Sequence, residues 1–327
     1  MPRRIGLDLG TDYTRIISEE GKVFRFPTVI VMDKYAERIA AVGRNAKMML
    51  GKTPDHMEAI CPVRNGVVAN GTACSDMLRS FFEEIGMSSL SEVFVSVSAG
   101  ITEMEVTNIR QAIYGANVRK VTLVNGIICS AIGAGIQYRD IRGSMILDLG
   151  GGLNRAAVLS LADVAKYSAQ AAGGDAMDEA IVAYLRQKKG VTIGLPMAER
   201  LKIQVGSAHP RVKKAPVTVI GQGEGGRGIV QTDVTSDDMR EALSAQISGI
   251  VELVNRTIAD TPPELCADIG DFGIMLTGGS ACLSGMTQVL QERIRVRVTM
   301  ANEPQDVTAK GLKILMESGR VNEYALR

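Results

Sequence analysis

A repeated segment constrains the fold of this chain more than any other feature. Residues 5–10, Ile-Gly-Leu-Asp-Leu-Gly, recur as residues 145–150, Met-Ile-Leu-Asp-Leu-Gly. In both copies an arginine follows the shared Leu-Asp-Leu-Gly at the same distance, Arg15 in the first and Arg155 in the second, and an apolar strand comes next. The repeat predicts two similar lobes, each of which begins with a strand, a tight turn and a second strand.

The length and composition fit two lobes and argue against several classes of function. The 327 residues suit two domains of ordinary size. The net charge is +1, from 37 basic and 36 acidic residues, so no field of one sign attracts nucleic acid and no nucleic-acid partner is predicted. The five cysteines form no Cys-x-x-Cys pair and there are two histidines, which argues against a zinc site.

The N-terminus and the longest apolar stretch indicate in which cellular compartment the protein is located. The residues 1–4 run directly into a strand-like segment, where no signal peptide fits. The apolar stretch 121–136 is interrupted by Asn125 and by other small or polar residues, so it falls short of a bilayer span. Together with scattered single cysteines, which are typical of a reducing compartment, these features predict a cytoplasmic protein.

The pattern along the chain predicts an α/β fold. Near-continuous apolar runs, such as 93–97 and 121–124, are typical of buried strands. Helices are predicted at 72–85, 102–114, 174–188, 197–205, 236–259 and 284–293, the fifth beginning near Thr235. Strands that alternate with helices favour this class. The glycine-rich segment 221–228 predicts a loop or hairpin tip, because no helix with a lysine follows it as a Walker motif would require.

The two copies of the repeat each predict an anion-binding turn. In the first copy a strand ends in the carboxylate Asp8, and Gly10 then permits a tight reversal. Threonine hydroxyls and backbone N–H groups face such turns. The second copy repeats the design with Asp148 and three glycines. Either turn alone is typical of an ordinary hairpin, but the pair predicts phosphate binding, with both carboxylates beside a hydrated Mg²⁺.

A third glycine turn lies at residues 276–280, Leu-Thr-Gly-Gly-Ser. It follows the apolar strand 273–276 and precedes the predicted helix 284–293. Such a turn is either an ordinary strand-to-helix loop or a place where the backbone approaches a nucleotide base and sugar closely.

Taken together, these turns resemble those of the actin, Hsp70 and sugar-kinase superfamily, and the finer resemblance is to the MreB family. It covers nearly the whole chain, and Gly-Lys-Thr-Pro at 51–54 and the stretch 174–181 carry it most specifically. The other matching segments are 42–43, 66–69, 100–102, 198–203 and 261–265. The resemblance implies an actin-like (ribonuclease H-like) α/β fold, duplicated into two lobes with a nucleotide cleft.

The resemblance also implies the ligands, ATP or ADP with Mg²⁺, and the residues that bind them. The metal would lie near Asp8 and Asp148 through water, and Asp148 is the candidate contact to a metal-bound water. The residues implied for the nucleotide are Gly10, Thr11, Asp12, Tyr13, Gly150, Gly151, Gly152, Asp175, Glu199, Lys202, Gly278, Gly279 and Ser280. Tyr13 replaces an asparagine usual in MreB, but Hsp70 proteins carry tyrosine there.

Glu199 and Lys202 are implied to contact ribose and adenine. They lie three positions apart on a predicted helix and so share one face. Without the family resemblance, a surface ion pair is an equally good interpretation of these two side chains.

The sequence departs from the family where ATP hydrolysis is concerned. MreB proteins have Glu-Glu-Pro before the second phosphate strand, and the second glutamate resembles the residue that polarises the attacking water. Here Asn125 and Gly126 occupy that place, and the segment between Lys120 and Gln137 contains no acidic residue. Leu153 replaces a threonine that resembles a water-placing hydroxyl. The resemblance therefore implies slow hydrolysis at best, with no catalytic residue assigned.

The resemblance also sets the expected domain boundaries. Lobe I is residues 1–140, with a larger subdomain and a smaller subdomain 29–68. Lobe II is 141–327, with a larger subdomain and a smaller subdomain 174–235. The larger subdomains comprise 1–28 with 69–140, and 141–173 with 236–312. The C-terminal segment 313–327 is expected to pack back on lobe I.

The function implied is nucleotide-controlled assembly of the chain with itself into filaments that support cell shape or another intracellular scaffold. Scaffold proteins of cell-wall synthesis are candidate partners. The inner face of the cell membrane is a candidate location through the loop Met87–Leu90, although a plain surface loop is the alternative. Two other functions stay open: an Hsp70-like ATP-dependent switch that does not polymerise, and a sugar or acid kinase of the same fold.

Overall fold

The chain folds into two compact units. The computed structural model describes residues 4–87, 90–223 and 228–326. The first unit comprises residues 1–141, 160–164 and 301–327, and the second comprises residues 142–159 and 165–300. Each unit has its own large hydrophobic core.

The first unit is built around a five-stranded sheet. Its N-terminal elements are the strands β1 (Arg4–Leu9), β2 (Tyr13–Ser18), β3 (Val23–Pro27), β4 (Ile30–Asp33) and β5 (Arg38–Val42), helix α1 (Gly43–Met49), and strands β6 (Met57–Ile60), β7 (Val63–Arg64) and β8 (Val67–Val68). Next come helix α2 (Gly71–Glu84), strand β9 (Glu92–Val97), helix α3 (Glu103–Gly115), strand β10 (Val121–Asn125) and helix α4 (Gly126–Gly133). The sheet order is β10-β9-β1-β2-β3, and strands β4 to β6 form a separate small sheet.

The second unit is also built around a five-stranded sheet. It begins with strands β11 (Ser144–Leu149), β12 (Asn154–Ser160) and β13 (Asp163–Gln170), helix α5 (Gly174–Lys189), strand β14 (Val191–Thr192), helix α6 (Leu195–Gln204) and strands β15 (Val217–Gly223) and β16 (Ile229–Val234). It continues with helices α7 (Ser236–Ala242), α8 (Ser244–Ala259) and α9 (Pro263–Phe272), strand β17 (Ile274–Thr277), a 3-10 helix (Ser280–Cys282), helix α10 (Met286–Ile294) and strand β18 (Val298–Met300).

The two large sheets have the same topology, which bears out the repeat seen in the sequence. The orders β3-β2-β1-β9-β10 and β13-β12-β11-β17-β18 correspond strand by strand. In each sheet the first strand of the repeat pairs antiparallel with the second and parallel with a later strand. Both copies of the tight turn therefore lie at the end of a central strand, next to a parallel neighbour.

The C-terminal helix α11 (Val307–Glu317) packs on α4 at very short range. The backbones come so close that a Cβ at Gly133 would overlap the Val307 carbonyl, and one at Gly311 would overlap the Cys129 carbonyl. The buried hydroxyls of Ser130 and Thr308 lie 2.8 Å apart across the same contact. Glycines at the crossing thus let the two helices touch through their main chains. Beyond α11 a 3-10 helix (Val321–Tyr324) leads to Leu326, whose N–H donates to the Leu123 carbonyl at 2.9 Å.

Most predicted elements are confirmed, with one helix divided and some missed. The strands at 93–97 and 121–124 are β9 and β10. Thr235 caps α7 through a capping box with Asp238, as its position predicts. The helix predicted at 236–259 is interrupted at Leu243, whose ψ of 1° departs from helical geometry, although no glycine or proline marks the break. Helices α1, α4, α9 and α11 were not predicted.

The boundaries of the two units differ from the predicted lobes at three places. Ile141 and residues 160–164 and 301–312 belong to the first unit, whereas the prediction placed them in the second lobe. Backbone hydrogen bonds join Leu161 and Ala162 to Asp140 and Tyr138, and α11 packs on α4. These contacts draw both segments into the first unit. The finer division into four subdomains stays a prediction.

The loop considered for membrane contact does not present its apolar residues outward. Leu90 is only 1% exposed and belongs to the core of the first unit. Met87 is partly buried and packs against the same core, while Ser88 and Ser89 lie outside the described residues. Leu90 could therefore enter a bilayer only by leaving the protein core, and membrane contact through this loop stays a hypothesis. Within the described parts of the chain, no helix is long and apolar enough to cross a membrane.

The glycine-rich segment 221–228 connects two paired strands. Strands β15 and β16 run antiparallel, and the N–H of Gly223 donates to the carbonyl of Gly228 at 2.9 Å. The segment is therefore part of a hairpin, as predicted, with residues 224–227 outside the described residues.

Candidate functional site

The turn between β1 and β2 is closed tightly by its own backbone. A Cβ at Gly10 would lie 2.6 Å from the carbonyl oxygen of Tyr13, so that only glycine fits without a shift. The hydroxyl of Thr28 donates to the Gly10 carbonyl at 2.8 Å, and the Thr28 N–H donates to the Asp12 carbonyl at 2.9 Å. Thr28 thus donates hydrogen bonds to two carbonyl groups of the turn, those of Gly10 and Asp12.

Two further side chains of this turn have partners from the segment between β3 and α2. The N–H of Gly66 donates to the Thr11 hydroxyl at 3.1 Å. The ammonium of Lys47 lies 4.9 Å from the centre of the Tyr13 ring and 3.4 Å from its hydroxyl. A cation over an aromatic face is attracted by the ring. The predicted residues Gly10, Thr11, Asp12 and Tyr13 therefore belong to one turn whose neighbours include a lysine.

The turn between β11 and β12 has the same backbone closure. A Cβ at Gly150 would lie 2.7 Å from the carbonyl oxygen of Leu153, matching the contact at Gly10. Here the carbonyls are bonded by the start of helix α5: Gly174 donates to Gly150 at 3.0 Å and Asp175 donates to Gly151 at 2.9 Å. A Cβ at Gly173 would overlap the Gly151 carbonyl. Helix α5 can dock on the turn because that position has no side chain.

The third glycine turn packs directly on the second. Gly278 has a φ of 91°, which favours glycine, and a Cβ there would overlap the Leu149 carbonyl. The Ser280 hydroxyl donates to the Gly150 carbonyl at 3.0 Å. By contrast, an added Cβ at Gly279 meets no atom. The structure thus brings together Gly150, Gly151, Asp175, Gly278 and Ser280 in the second unit.

Lys202 reaches the same place, but it is bonded within the protein. Its ammonium donates to the Gly174 carbonyl at 2.8 Å and to the carboxylate of Asp178 at 2.9 Å. Both side chains are largely buried. Glu199 lies on the same helix, α6, and is half-buried. Asp178 was missed, although it lies in the family-like stretch 174–181, because its partner is a lysine on another helix.

Each turn carboxylate is paired with the arginine of its repeat. In the antiparallel ladders Asp8 is opposite Arg15, and Asp148 is opposite Arg155. The guanidinium of Arg15 lies 3.7 Å from the Asp8 carboxylate, and Arg155 forms a shorter ion pair with Asp148. The equal spacing of Asp and Arg about the turn in both copies was the sequence signal for these pairs.

The position of the expected catalytic glutamate has a structural role here. Asn125 ends β10 and caps α4, its side-chain oxygen accepting a hydrogen bond from the Ile127 N–H at 3.2 Å. Gly126 is buried at the first position of α4, and Leu153 is half-buried in the second turn. Neither Asn125 nor Gly126 provides a carboxylate.

The residues expected beside Mg²⁺ do not fit that ion. Magnesium binds carboxylate oxygens and water in octahedral geometry. Asp148 is paired with the Arg155 guanidinium, the Arg15 guanidinium lies 3.7 Å from Asp8, and Asp8 also accepts a hydrogen bond from the Ser96 hydroxyl at 2.7 Å. Among the described residues, no group of three or more His, Cys, Asp or Glu side chains could hold a metal.

Comparisons with known proteins agree with this fold. The MreB/Mbl protein family model matches residues 2–323. The cell shape-determining protein MreB of Escherichia coli K12 is 36% identical over 319 residues, 94% of this chain and 91% of that protein. The cell shape-determining protein Mbl of Bacillus subtilis 168 is 33% identical over 321 residues, 97% of this chain and 96% of that protein.

Solved structures show the same architecture. The crystal structure of Spiroplasma citri MreB5 bound to ADP superposes with a TM-score of 0.93 at 25% identity, covering 99% of this chain and 98% of that one. The MamK double helical filament, at 18% identity and a TM-score of 0.80, covers 96% of this chain and 99% of that one and shares the fold. The two duplicated sheets are those of an actin-like protein, and this chain belongs to the MreB/Mbl family.

Proposed function

We propose that this chain binds ATP and ADP and assembles with itself into filaments under nucleotide control, as a cell-shape or other intracellular scaffold. The observation that carries the proposal is the duplicated turn, in which glycine brings the backbone round tightly in both units. Family membership supports it, since the curated relatives are named for determining cell shape and the MreB5 structure is bound to ADP. Their cell-shape role also suggests cell-wall synthesis proteins as partners.

Phosphate binding is assigned to the two turns. Backbone N–H groups in tight turns form concavities that bind anions. The first turn offers Gly10 to Tyr13, and Lys47 beside Tyr13 adds a positive charge. The second turn offers Gly150 to Gly152 next to the start of α5, where the positive end of the helix dipole favours negative charge. We propose that both turns contribute to binding of the β- and γ-phosphates.

The adenosine is assigned to the second unit. Ser280, Gly278 and Gly279 form the glycine turn that packs on Gly150. Glu199 and Lys202 share helix α6, and Lys202 is held beside this turn by Asp178 and the Gly174 carbonyl. We propose that Asp178 positions Lys202 for contact with the nucleotide, and that Glu199 contacts the ribose.

Filament formation and nucleotide binding are tested together. The natural chain with ATP should pellet on ultracentrifugation and form filaments in electron micrographs. Gly151→Val should weaken ATP binding by calorimetry, because it places a branched side chain where phosphate would approach. Gly71→Val is the control, since an added Cβ there meets no atom. A chain that binds ATP but stays monomeric at all concentrations would favour the non-polymerising switch.

We further propose that ATP hydrolysis is slow. The attacking water must be oriented and deprotonated, and a positioned carboxylate typically contributes about 10²–10⁴-fold. The Asn125 side-chain oxygen caps α4 and is not basic, and Leu153 offers no hydroxyl to place the water. Asp8 and Asp148 are each paired with an arginine.

Phosphate release measured against protein concentration tests this. The natural chain should release phosphate slowly both below and above the assembly threshold, and Gly126→Glu should accelerate release. Gly126→Gln is the matched control, because glutamine has nearly the same shape as glutamate but lacks a basic carboxylate. Brisk release by the natural chain above the threshold would show that the polymer supplies the missing group.

A further inference from the structure

Each unit pairs its turn carboxylate with an arginine of the neighbouring strand. Asp8 and Arg15 are direct partners in the β1–β2 ladder, and Asp148 and Arg155 are direct partners in the β11–β12 ladder. Directly opposed residues of an antiparallel pair place their side chains on one face of the sheet. The pairing is therefore fixed by strand register and occurs once in each copy of the repeat.

Burial and further hydrogen bonds hold both pairs. The side chains of Asp8 and Arg15 are 17% and 13% exposed, and those of Asp148 and Arg155 are 5% and 16% exposed. Salt screens such largely buried pairs weakly. Arg15 also donates to the buried Asp306 at 3.1 Å, which fixes the guanidinium beside Asp8.

The guanidinium groups supply the charge that a divalent cation would supply. In the second unit, Asp148 carries one negative charge and Arg155 one positive charge, so that this pair sums to zero. In the first unit, Asp8 and Asp306 carry two negative charges, and Arg15 and Arg25 carry two positive charges, so that this network also sums to zero. Because an arginine cannot be deprotonated in a protein, this neutralisation is permanent. A magnesium ion that approaches either carboxylate is repelled by the guanidinium beside it.

We propose that Arg15 and Arg155 replace the charge of the divalent cation in this chain, so that nucleotide binding depends only weakly on Mg²⁺. The inference rests on the proposed nucleotide binding and specifies the cofactor requirement of that site. The arginines balance the negative charge of the carboxylates, and the turns bind the nucleotide phosphates.

The dependence on Mg²⁺ is measured as the factor by which Mg²⁺ changes the affinity for the nucleotide. Titration calorimetry of ADP and of ATP, with excess Mg²⁺ and with EDTA, gives a ratio of dissociation constants for each nucleotide. Coupling between two ligands typically changes affinity by about 5–150-fold. For the natural chain the ratio should lie below about fivefold, the lower end of that range. In the Arg15→Met/Arg155→Met variant the carboxylates are uncompensated, and the ratio should rise into that range.

Arg79→Met is the matched control. Arg79 pairs with Asp76 at 3.0 Å on helix α2, and the structure gives it no bond to Asp8 or Asp306. Removing it deletes a cation from the first unit outside the network that balances Asp8, and it should leave the ratio unchanged. Thermal unfolding of each variant identifies any that fail to fold. If the double variant does not fold, Arg155→Met alone tests the second unit, and the natural chain still tests the main claim.

The outcomes separate the inference from the function on which it rests. Binding by the natural chain that is lost in EDTA overturns the inference and leaves the proposed function intact. Equal ratios for the natural chain and the double variant also overturn it, because the arginines then have no part in the coupling. Absence of binding under both conditions overturns the proposed function. A low ratio in the natural chain that rises only in the arginine variants supports the inference.

Discussion

The two copies of the turn share a backbone but are supported differently. In the first unit, side-chain hydroxyls and a loop N–H hold the turn: Thr28 bonds the Gly10 carbonyl, and Gly66 bonds Thr11. In the second, the first N–H groups of helix α5 bond the carbonyls of Gly150 and Gly151. A duplicated turn thus keeps its glycines and register while its supports diverge. Removing a side chain that supports the second turn should therefore destabilise the protein less than replacing one of the glycines there.

The largest effect is expected where helix α5 meets the second turn. Gly173→Ala places a Cβ against the Gly151 carbonyl, and both main chains would have to move. Overpacking of this kind costs typically 1–3 kcal/mol, and about 3 kcal/mol or more is expected here because the obstacle is backbone. Urea denaturation measures the loss. Gly279→Ala, which meets no atom, is the control, and equal stability of the two variants would contradict the docking geometry.

A pH-dependent effect is expected at Asp306 in the first unit. Burial would raise the pKa of the Asp306 carboxyl, but hydrogen bonds from Arg25 and Arg15 outweigh it and hold the pKa below its ordinary value. Asp306→Asn should therefore cost about 1–3 kcal/mol at pH 7. Because a lowered folded pKa gives stability above the unfolded pKa of about 3.9, the cost should shrink as pH falls below that value.

Denaturation at a series of pH values tests this prediction. A cost that stays constant between pH 7 and pH 3 would show that the carboxylate charge is not what stabilises this network.

A comparable but pH-independent loss is expected at Thr28. This side chain is buried, and its hydroxyl bonds both the Gly10 carbonyl and the hydroxyl of Thr14. Thr28→Val leaves those groups without this partner, at a cost of about 1–2 kcal/mol. Thr28→Ser keeps the hydroxyl and should recover most of the stability. Failure of serine to do so would mean that the methyl group, and not the bond to the turn, matters.

The smallest effect is expected at Ser280. Its hydroxyl donates to the Gly150 carbonyl, which also accepts the N–H of Gly174. Because one partner remains, Ser280→Ala should cost only about 0.5–1 kcal/mol of unfolding free energy. If the loss equals that of Thr28→Val, then the second turn depends on side chains as much as the first does.

The repeat was visible in the sequence because glycine and aspartate are required at fixed places of the turn. The supports of the turns were not visible. Asp178 and Lys202 are joined by the packing of two helices, and Thr28 reaches Gly10 only through the path of the chain after β3. Such contacts depend on tertiary structure and leave no local pattern.

Helix α4 escaped prediction for a different physical reason. All of its residues from Gly126 to Ile132 are buried, so that no polar face alternates with an apolar one. Hydrophobic periodicity detects a helix by the contrast between its faces. Helix α11 causes part of this burial, because it covers one side of α4 through the glycine contacts.

The packing of α11 on α4 also sets an order for synthesis on the ribosome. Domains generally fold as units while the chain emerges from its N-terminus. The second unit ends at residue 300, whereas the first unit requires residues 301–327, including the helix that seals α4. The unit whose translation starts first is therefore completed last. Until α11 emerges, the largely apolar surface of α4 lacks its cover, and a nascent chain stalled near residue 300 would expose it to chaperones or to other nascent chains.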